Sequence, residues 1–174
     1  MKITINGGHC PGLDSGAVGV TGLQEAIVAR ELMQSIAGYL RAVGYTVLEI
    51  QENSLSQITD ISNHFGSRLF VSIHCNAATS REAKGTETYC YQWRNSGARL
   101  AQCIQNQIIN SLGTVDRGVK TANFHVLRET DCPAALVETA FISNPDDEVL
   151  LADENKRDEF ARAIARGITN YLYC

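Results

Sequence analysis

The sequence predicts an α/β fold: a single-domain three-layer α/β/α sandwich built on a mostly parallel, twisted sheet of about six strands. Three observations carry this reading. Strand-like and helix-like segments alternate as β-α-β-α-β over residues 2–74, and crossovers of this length favour parallel pairing with right-handed connections. Leu69-Phe70-Val71-Ser72-Ile73-His74 is a nearly unbroken apolar run, as in a central strand covered on both faces. The longer helical segments repeat apolar residues at steps of four, so each offers one face to a sheet.

The elements follow in order. Lys2 to Asn6 alternates toward Ile3 and Ile5 and breaks into Gly7-Gly8-His9-Cys10-Pro11-Gly12, a first strand opening into a glycine-rich loop. Thr21 followed by Gln24 has the capping-box pattern, and Leu32, Ile36, Leu40 and Val43 then recur at helical spacing up to Gly44. A helix over residues 22–43, about 33 Å long, is expected. Tyr45 to Ile50 reads as a strand, Ser54 to Phe65 as a helix, and Leu69 to His74 as the central strand. Thr86 to Gln92 alternates as an edge or antiparallel strand would, and Ala98 to Leu112 is amphipathic. Asn123 to Leu127 and Ala134 to Thr139 are the last strand candidates, followed by a short helix near Asp146 to Leu151 and a final helix from about Glu154 to Tyr171. Neither a repeat nor a linker divides the chain, so residues 1–174 form one domain.

Composition narrows the function classes. At 174 residues, with 44% hydrophobic and 20% charged residues, the chain can bury an ordinary core and shows no sign of disorder. A net charge of -4 offers no electrostatic footprint for nucleic acid or an acidic membrane. No apolar run reaches the roughly 18 residues of a membrane span, and Met1-Lys2-Ile3-Thr4-Ile5 is too short for a signal peptide. The chain is read either as one that stays where it is made or as a module of a longer secreted protein. The six cysteines, at 10, 75, 90, 103, 132 and 174, form no CxxC pair and read mostly as reduced, buried thiols.

Chemistry is expected at the carboxyl ends of the parallel strands. His9 and His74 leave two such ends, Glu25 falls in the first turn of the long helix facing the glycine loop, and Glu138 closes the apolar run Ala134-Ala135-Leu136-Val137. Glu25 also has a plainer explanation, since a carboxylate near a helix N-terminus gains roughly 0.3 to 1 kcal/mol from the macrodipole. Glu138 is harder to explain that way, because an unsatisfied buried carboxylate costs several kcal/mol. Two histidines and a carboxylate with an open fourth position is a donor set that catalytic zinc uses, and a second carboxylate off the metal suits a general base. His9, Glu25 and His74 are therefore the candidate ligands and Glu138 the candidate base.

The same residues carry a family resemblance. Asn6-Gly7-Gly8-His9 with Asp14-Ser15-Gly16-Ala17-Val18-Gly19 and Gly22-Leu23-Gln24-Glu25, then Val71-Ser72-Ile73-His74-Cys75-Asn76-Ala77, resemble the first two blocks of the zinc-dependent N-acetylmuramoyl-L-alanine amidases of bacterial cell walls, which include autolysins and some phage lysins. Lys84-Gly85-Thr86-Glu87-Thr88, Val115-Asp116-Arg117-Gly118-Val119-Lys120 and Leu136-Val137-Glu138-Thr139-Ala140-Phe141-Ile142-Ser143-Asn144-Pro145 match further blocks in order. The resemblance implies one zinc ion per chain on His9, Glu25 and His74, with Glu138 as catalytic glutamate. The implied reaction is hydrolysis of the amide between the lactyl group of N-acetylmuramic acid and the L-alanine of the stem peptide. Asn76 is a candidate for binding the substrate backbone or a turn residue after a strand, and His125 is a candidate for substrate contact or a strand residue with a satisfied ring.

The expected partner is peptidoglycan, with no nucleic acid and no membrane, and the expected state is a monomer acting on the bacterial cell wall. Wall targeting would fall to a separate module in a longer parent protein, and the connection between Ala77 and His125 leaves no room for the helical plug of the regulated periplasmic relatives. Asn6, Gly7 and Cys10 depart from the family pattern. Cys10, directly after a ligand, is read as a reduced thiol in preference to a competing ligand. Rival readings are a non-catalytic wall-binding domain, a thiol amidase using Cys75 or Cys10, and a zinc aminopeptidase or carboxypeptidase. His64, late in a helix, needs no explanation beyond a dipole contact.

Overall fold

The computed structural model describes residues 1–173. Six strands form one sheet in the order β2-β1-β3-β6-β4-β5. They are β1 (Lys2–Gly7), β2 (Thr46–Ile50), β3 (Phe70–Asn76), β4 (Thr86–Cys90), β5 (Asp116–Thr121) and β6 (Ala134–Phe141). Every neighbouring pair is parallel except β4 against β6. The six helices are α1 (Glu25–Ala42), α2 (Leu55–Phe65), α3 (Ser96–Leu112), α4 (His125–Arg128), α5 (Pro145–Ala152) and α6 (Glu154–Tyr173).

The period-two alternation of the central strands divides the core into two layers. Val71, Ile73 and Cys75 of β3 and Ala135 and Val137 of β6 pack beneath α1, α3 and α6, with Leu32, Ile36, Ile104, Phe160 and Ile164. Phe70 of β3 and Ala134 and Leu136 of β6 face the other way, onto Ile58 of α2 and Val126 and Leu127 of α4. This second layer is small. Its strands accordingly carry His74 and Glu138 at their open carboxyl end, on the same face as Phe70 and Leu136. The three-layer α/β/α expectation therefore holds, with two of the three layers unequal.

Several expected boundaries shift, each for a local reason. The long helix starts at Glu25 and not at residue 22, and Thr21 does not cap it; the residue before it, Gln24, makes no side-chain cap bond. Loop carbonyls take over that task, since Ala17 and Ser15 accept from the Glu25 and Ala26 N–H groups. With 18 residues, α1 is about 27 Å long. Asn123 to Leu127 is not a strand. Its apolar residues instead enter the one-turn helix α4, where Val126 and Leu127 are buried against α2 and β6. The strand missing from that reading is β5, whose residues Asp-Arg-Gly-Val-Lys-Thr carry almost no apolar signal. Finally, β4 is antiparallel as expected but is interior, flanked by β6 and β5.

Candidate metal centre and catalytic site

Three ligand candidates arrive from separate elements. His74 lies near the end of β3, His9 in the loop after β1, and Glu25 at the first position of α1, entering from the opposite layer. One donor atom from each lies within 4.8 Å of the others. For comparison, ligands about 2.0 to 2.2 Å from a tetrahedral zinc stand about 3.4 Å apart, so small side-chain movements close the set. Two glycines make the convergence sterically possible. A Cβ at Gly8 would stand 2.3 Å from the His74 ring, and one at Gly16, whose φ is 63°, would stand 2.6 Å from both Glu25 and His9. His9 itself adopts φ 58°, an uncommon conformation for a side chain of its size.

Hydrogen bonds orient the rings. The buried Glu25 carboxylate is 3.2 Å from His9 Nε2 and 3.0 Å from His74 Nδ1, and also accepts from the Ala17 and Cys75 N–H groups. Asp14 holds the other ring nitrogen of His9, Nδ1, at 2.6 Å. A carboxylate on the far nitrogen of a histidine is the support that metal-ligating imidazoles commonly receive. Burial pushes the Glu25 carboxyl upward, but the bonds from His74 and His9 outweigh it and hold it well below the usual range. The Glu25 hydrogen bond, opposed by burial and helped by Asp14, holds His9 up at about 9. A metal bound there would compete with that proton for the same lone pairs.

Glu138 pairs in register with His74 on one side and with Glu87 on the other. Its Oε2 is buried and has no hydrogen-bond partner. Burial pushes its carboxyl up to about 7, with nearby histidines and carboxylates making smaller opposing contributions. An orphaned carboxylate oxygen in native structure calls for an explanation; here it lies beside two histidines on one rim. It matches what a proton acceptor for an attacking water needs, a pKa near the working pH and a free lone pair.

Around this centre opens a cleft of about 500 Å³, lined by His9, Asp14, His74 and Glu138 at one end and by Leu55, Ile58, Phe124, His125 and Val126 along its wall. His125 thus reaches the rim, but from the helix α4 and not from a strand. Asn76 is the last residue of β3, not a turn residue, and both ends of its amide are engaged: Nδ2 donates to Glu87 at 2.7 Å and Oδ1 accepts from the Ala77 N–H. His64 sits in the last turn of α2. Cys10, Cys75, Cys90 and Cys132 are reduced thiols, and Cys174 lies outside the described residues. Cys10 stands apart from the ligand set, with its thiol 3.8 Å from the Gln51 carbonyl. Cys75 points to the other face of the sheet, toward Thr139, and burial pushes its thiol far up, which removes the basis for a thiol nucleophile beside His74.

Sequence reasoning passed over four polar residues of this edge. Asp14 orients His9, and the buried Glu87 gathers Arg117 and Lys120 one strand beyond Glu138. The one carboxylate of β4 had a signal, since Glu87 lies between two threonines in a mostly buried strand. A fifth omission lies below the loop: the buried Glu148 accepts from the Val20 and Thr21 N–H groups and the Thr21 hydroxyl, bracing the segment between His9 and Glu25.

Comparison with known proteins supplies a family for nearly the whole chain. The profile of a family described as N-acetylmuramoyl-L-alanine amidase matches residues 3–170. The chain is 40% identical over 165 residues to N-acetylmuramoyl-L-alanine amidase LytC of Bacillus subtilis (strain 168), an alignment covering 91% of this chain and 33% of that protein. It therefore spans about a third of the length of that relative. It is 37% identical to the sporulation-specific N-acetylmuramoyl-L-alanine amidase of the same organism, over 99% of this chain and 67% of that one. Among solved structures, N-acetylmuramoyl-L-alanine amidase AmiC2 of Nostoc punctiforme superposes with a TM-score of 0.94 at 32% identity, covering 100% of this chain and 98% of that chain.

Proposed function

The chain belongs to the N-acetylmuramoyl-L-alanine amidase family, and from that premise we propose that it is a zinc-dependent catalytic domain hydrolysing the amide between the lactyl group of N-acetylmuramic acid and the L-alanine of the peptidoglycan stem peptide. The observation that carries this reading is the unpartnered Oε2 of Glu138 beside the His9, Glu25 and His74 set. His9 Nε2, a Glu25 carboxylate oxygen and a His74 nitrogen would hold the metal; the donor types and their separation fit zinc. When bound, zinc supplies Lewis acidity, polarising a carbonyl oxygen and lowering the pKa of a water to about 7.

The chain's own residues do the rest. Asp14 keeps the His9 proton on Nδ1, so that Nε2 presents its lone pair to the centre. Glu138 Oε2 accepts the proton of the attacking water and returns it to the departing L-alanine nitrogen, which leaves as a neutral amine. Leu55, Ile58 and Phe124 give the cleft an apolar wall against which a substrate can pack. Among the described residues no helix is long and apolar enough to cross a membrane. Peptidoglycan is the proposed partner, the bacterial cell wall the proposed site of action, and the greater length of LytC supports a separate wall-binding module in a longer parent protein.

The test is release of L-alanine amino termini from purified peptidoglycan by the chain as prepared, after chelation, and after zinc is restored. Loss and recovery are expected. A chelated sample that retains full activity would remove the metal from the mechanism, and release of reducing sugar in place of amines would assign another bond.

A further inference from the structure

Outside the triad and Glu138, the same sheet edge holds a charged cluster that the hydrolytic step does not use. Glu87, 3% exposed, accepts from four donors: Asn76 Nδ2, the Tyr89 hydroxyl and Arg117 Nε, each at 2.7 Å, and Lys120 Nζ. Arg117 and Lys120 lie three residues apart in β5, a spacing that sends side chains to opposite faces of a regular strand. A bulge changes this. Thr86 pairs with Asp116 but Thr88 pairs with Val119, and Gly118 between them takes φ 76°. The extra residue re-aims the strand, and both cations reach one carboxylate.

Two cations face Glu87, with Glu138 the next carboxylate along the row, and both keep more than a third of their side-chain surface exposed, at 35% and 38%. Arg117 engages Glu87 through Nε alone, so among the described residues the two terminal nitrogens of its guanidinium make no hydrogen bond. The guanidinium lies 4.8 Å over the Phe141 ring, which holds the fork flat. Such a fork matches the geometry of a carboxylate.

We propose that Arg117 and Lys120 form a subsite for a free carboxylate on the peptide side of the scissile amide, so that stems whose residue after L-alanine carries a carboxylate are preferred over those carrying a carboxamide. This rests on the amidase reading for the identity of the substrate. The glycan side offers no partner for two cations, because the N-acetyl and lactyl amide groups are neutral, and the cleft on the other side of Glu138 is walled by Leu55, Ile58, Phe124 and Leu136. Glu87 is then a positioning residue that holds both cations in one plane of approach.

Two muramoyl-dipeptides, both capped as a methylamide at the carboxyl that continues the stem and differing only in the other carboxylate or carboxamide, test the subsite, with kcat and KM measured separately and calorimetric binding of the two capped dipeptides as a second readout. The unaltered chain is expected to favour the carboxylate by about tenfold or more, as a charge-assisted hydrogen bond provides. Arg117→Gln and Lys120→Gln should each lose most of that preference through KM, leaving the carboxamide substrate within about twofold. Arg117→Lys, which keeps the charge on Glu87 and loses the fork, serves if the glutamine variant does not fold. Equal losses on both substrates, or no preference in the unaltered chain, would overturn the subsite. Preferential binding of the carboxylate dipeptide without cleavage of either substrate would uphold the subsite and count against the amidase reading.

Discussion

Glu138 concentrates the proposed chemistry in one atom. A carboxylate oxygen that is buried and unpaired is costly, and its cost takes the form of a carboxyl held up to about 7. Glu138→Gln keeps the shape and removes the proposed base, so kcat should fall by roughly 10²- to 10⁴-fold, while metal analysis should still find the proposed one zinc per chain. Loss of the metal in that variant would show that Glu138 is a ligand and not a base. The same residue predicts a pH dependence of the metal-free fold. Its folded pKa lies above the ordinary 4.5, so the folded state binds more protons between those values. Stability attributable to Glu138 is complete below about 4.5 and is lost as pH rises through about 7, a difference of about 3 kcal/mol. Chemical denaturation of the chelated chain at pH 5 and pH 8 should show that loss, and Glu138→Gln should show less of it. Burial also explains why Glu138 was legible beforehand: a charge ending an apolar run has few structural reasons to be there. Asp14 was not legible, because nothing in a glycine loop indicates which acidic residue will fold back onto a histidine five positions earlier.

Loops and strand ends show why spacing went only part of the way. The glycine loop between β1 and α1 was recognised as a rim, yet its stiffness comes from Glu148, at the far end of the sequence in α5. A Cβ at Gly19 would stand 2.1 Å from that carboxylate, so loop and clamp are packed together. Glu148→Ala removes three hydrogen-bond acceptor contacts to Val20 and Thr21. Stranding those donors should cost about 1 to 3 kcal/mol in chemical denaturation, and zinc affinity should fall along with it, because His9 and Glu25 flank the loop. Unchanged zinc affinity would confine Glu148 to stability. The strand β5 was missed for a different reason: an edge strand with one buried neighbour needs little apolar character, and its bulge at Gly118 breaks the alternation that identifies strands. Asn123 to Leu127 failed in the opposite direction, since a short apolar run is consistent with strand or helix and only the packing of Val126 and Leu127 against α2 decides between them.

Taken as a whole, the fold places a thick helical layer behind the sheet and a thin one in front, and the open carboxyl edge of the thin side becomes the cleft. Three elements supply the candidate ligand set, one from each of β3, the β1–α1 loop and α1, so metal binding there should tie the loop and helix to the sheet. A ligand that binds only the folded state stabilises it by mass action. Adding zinc in excess over its dissociation constant should therefore raise the thermal midpoint of the chelated chain, and His74→Ala should abolish the shift; a shift that persists would place the metal elsewhere. The β-α-β-α-β opening, the central run of β3, the rim position of His9 and His74 and the buried carboxylate of Glu138 were all determined by the linear order of apolar and polar residues, because periodicity and burial are local consequences of sequence. The entry of Glu25 from the opposite layer, the support of His9 by Asp14 and the meeting of Arg117 with Lys120 on Glu87 were decided only in three dimensions. Each depends on a loop path or a bulge that brings polar side chains together across elements, and no repeat along the chain encodes such a meeting.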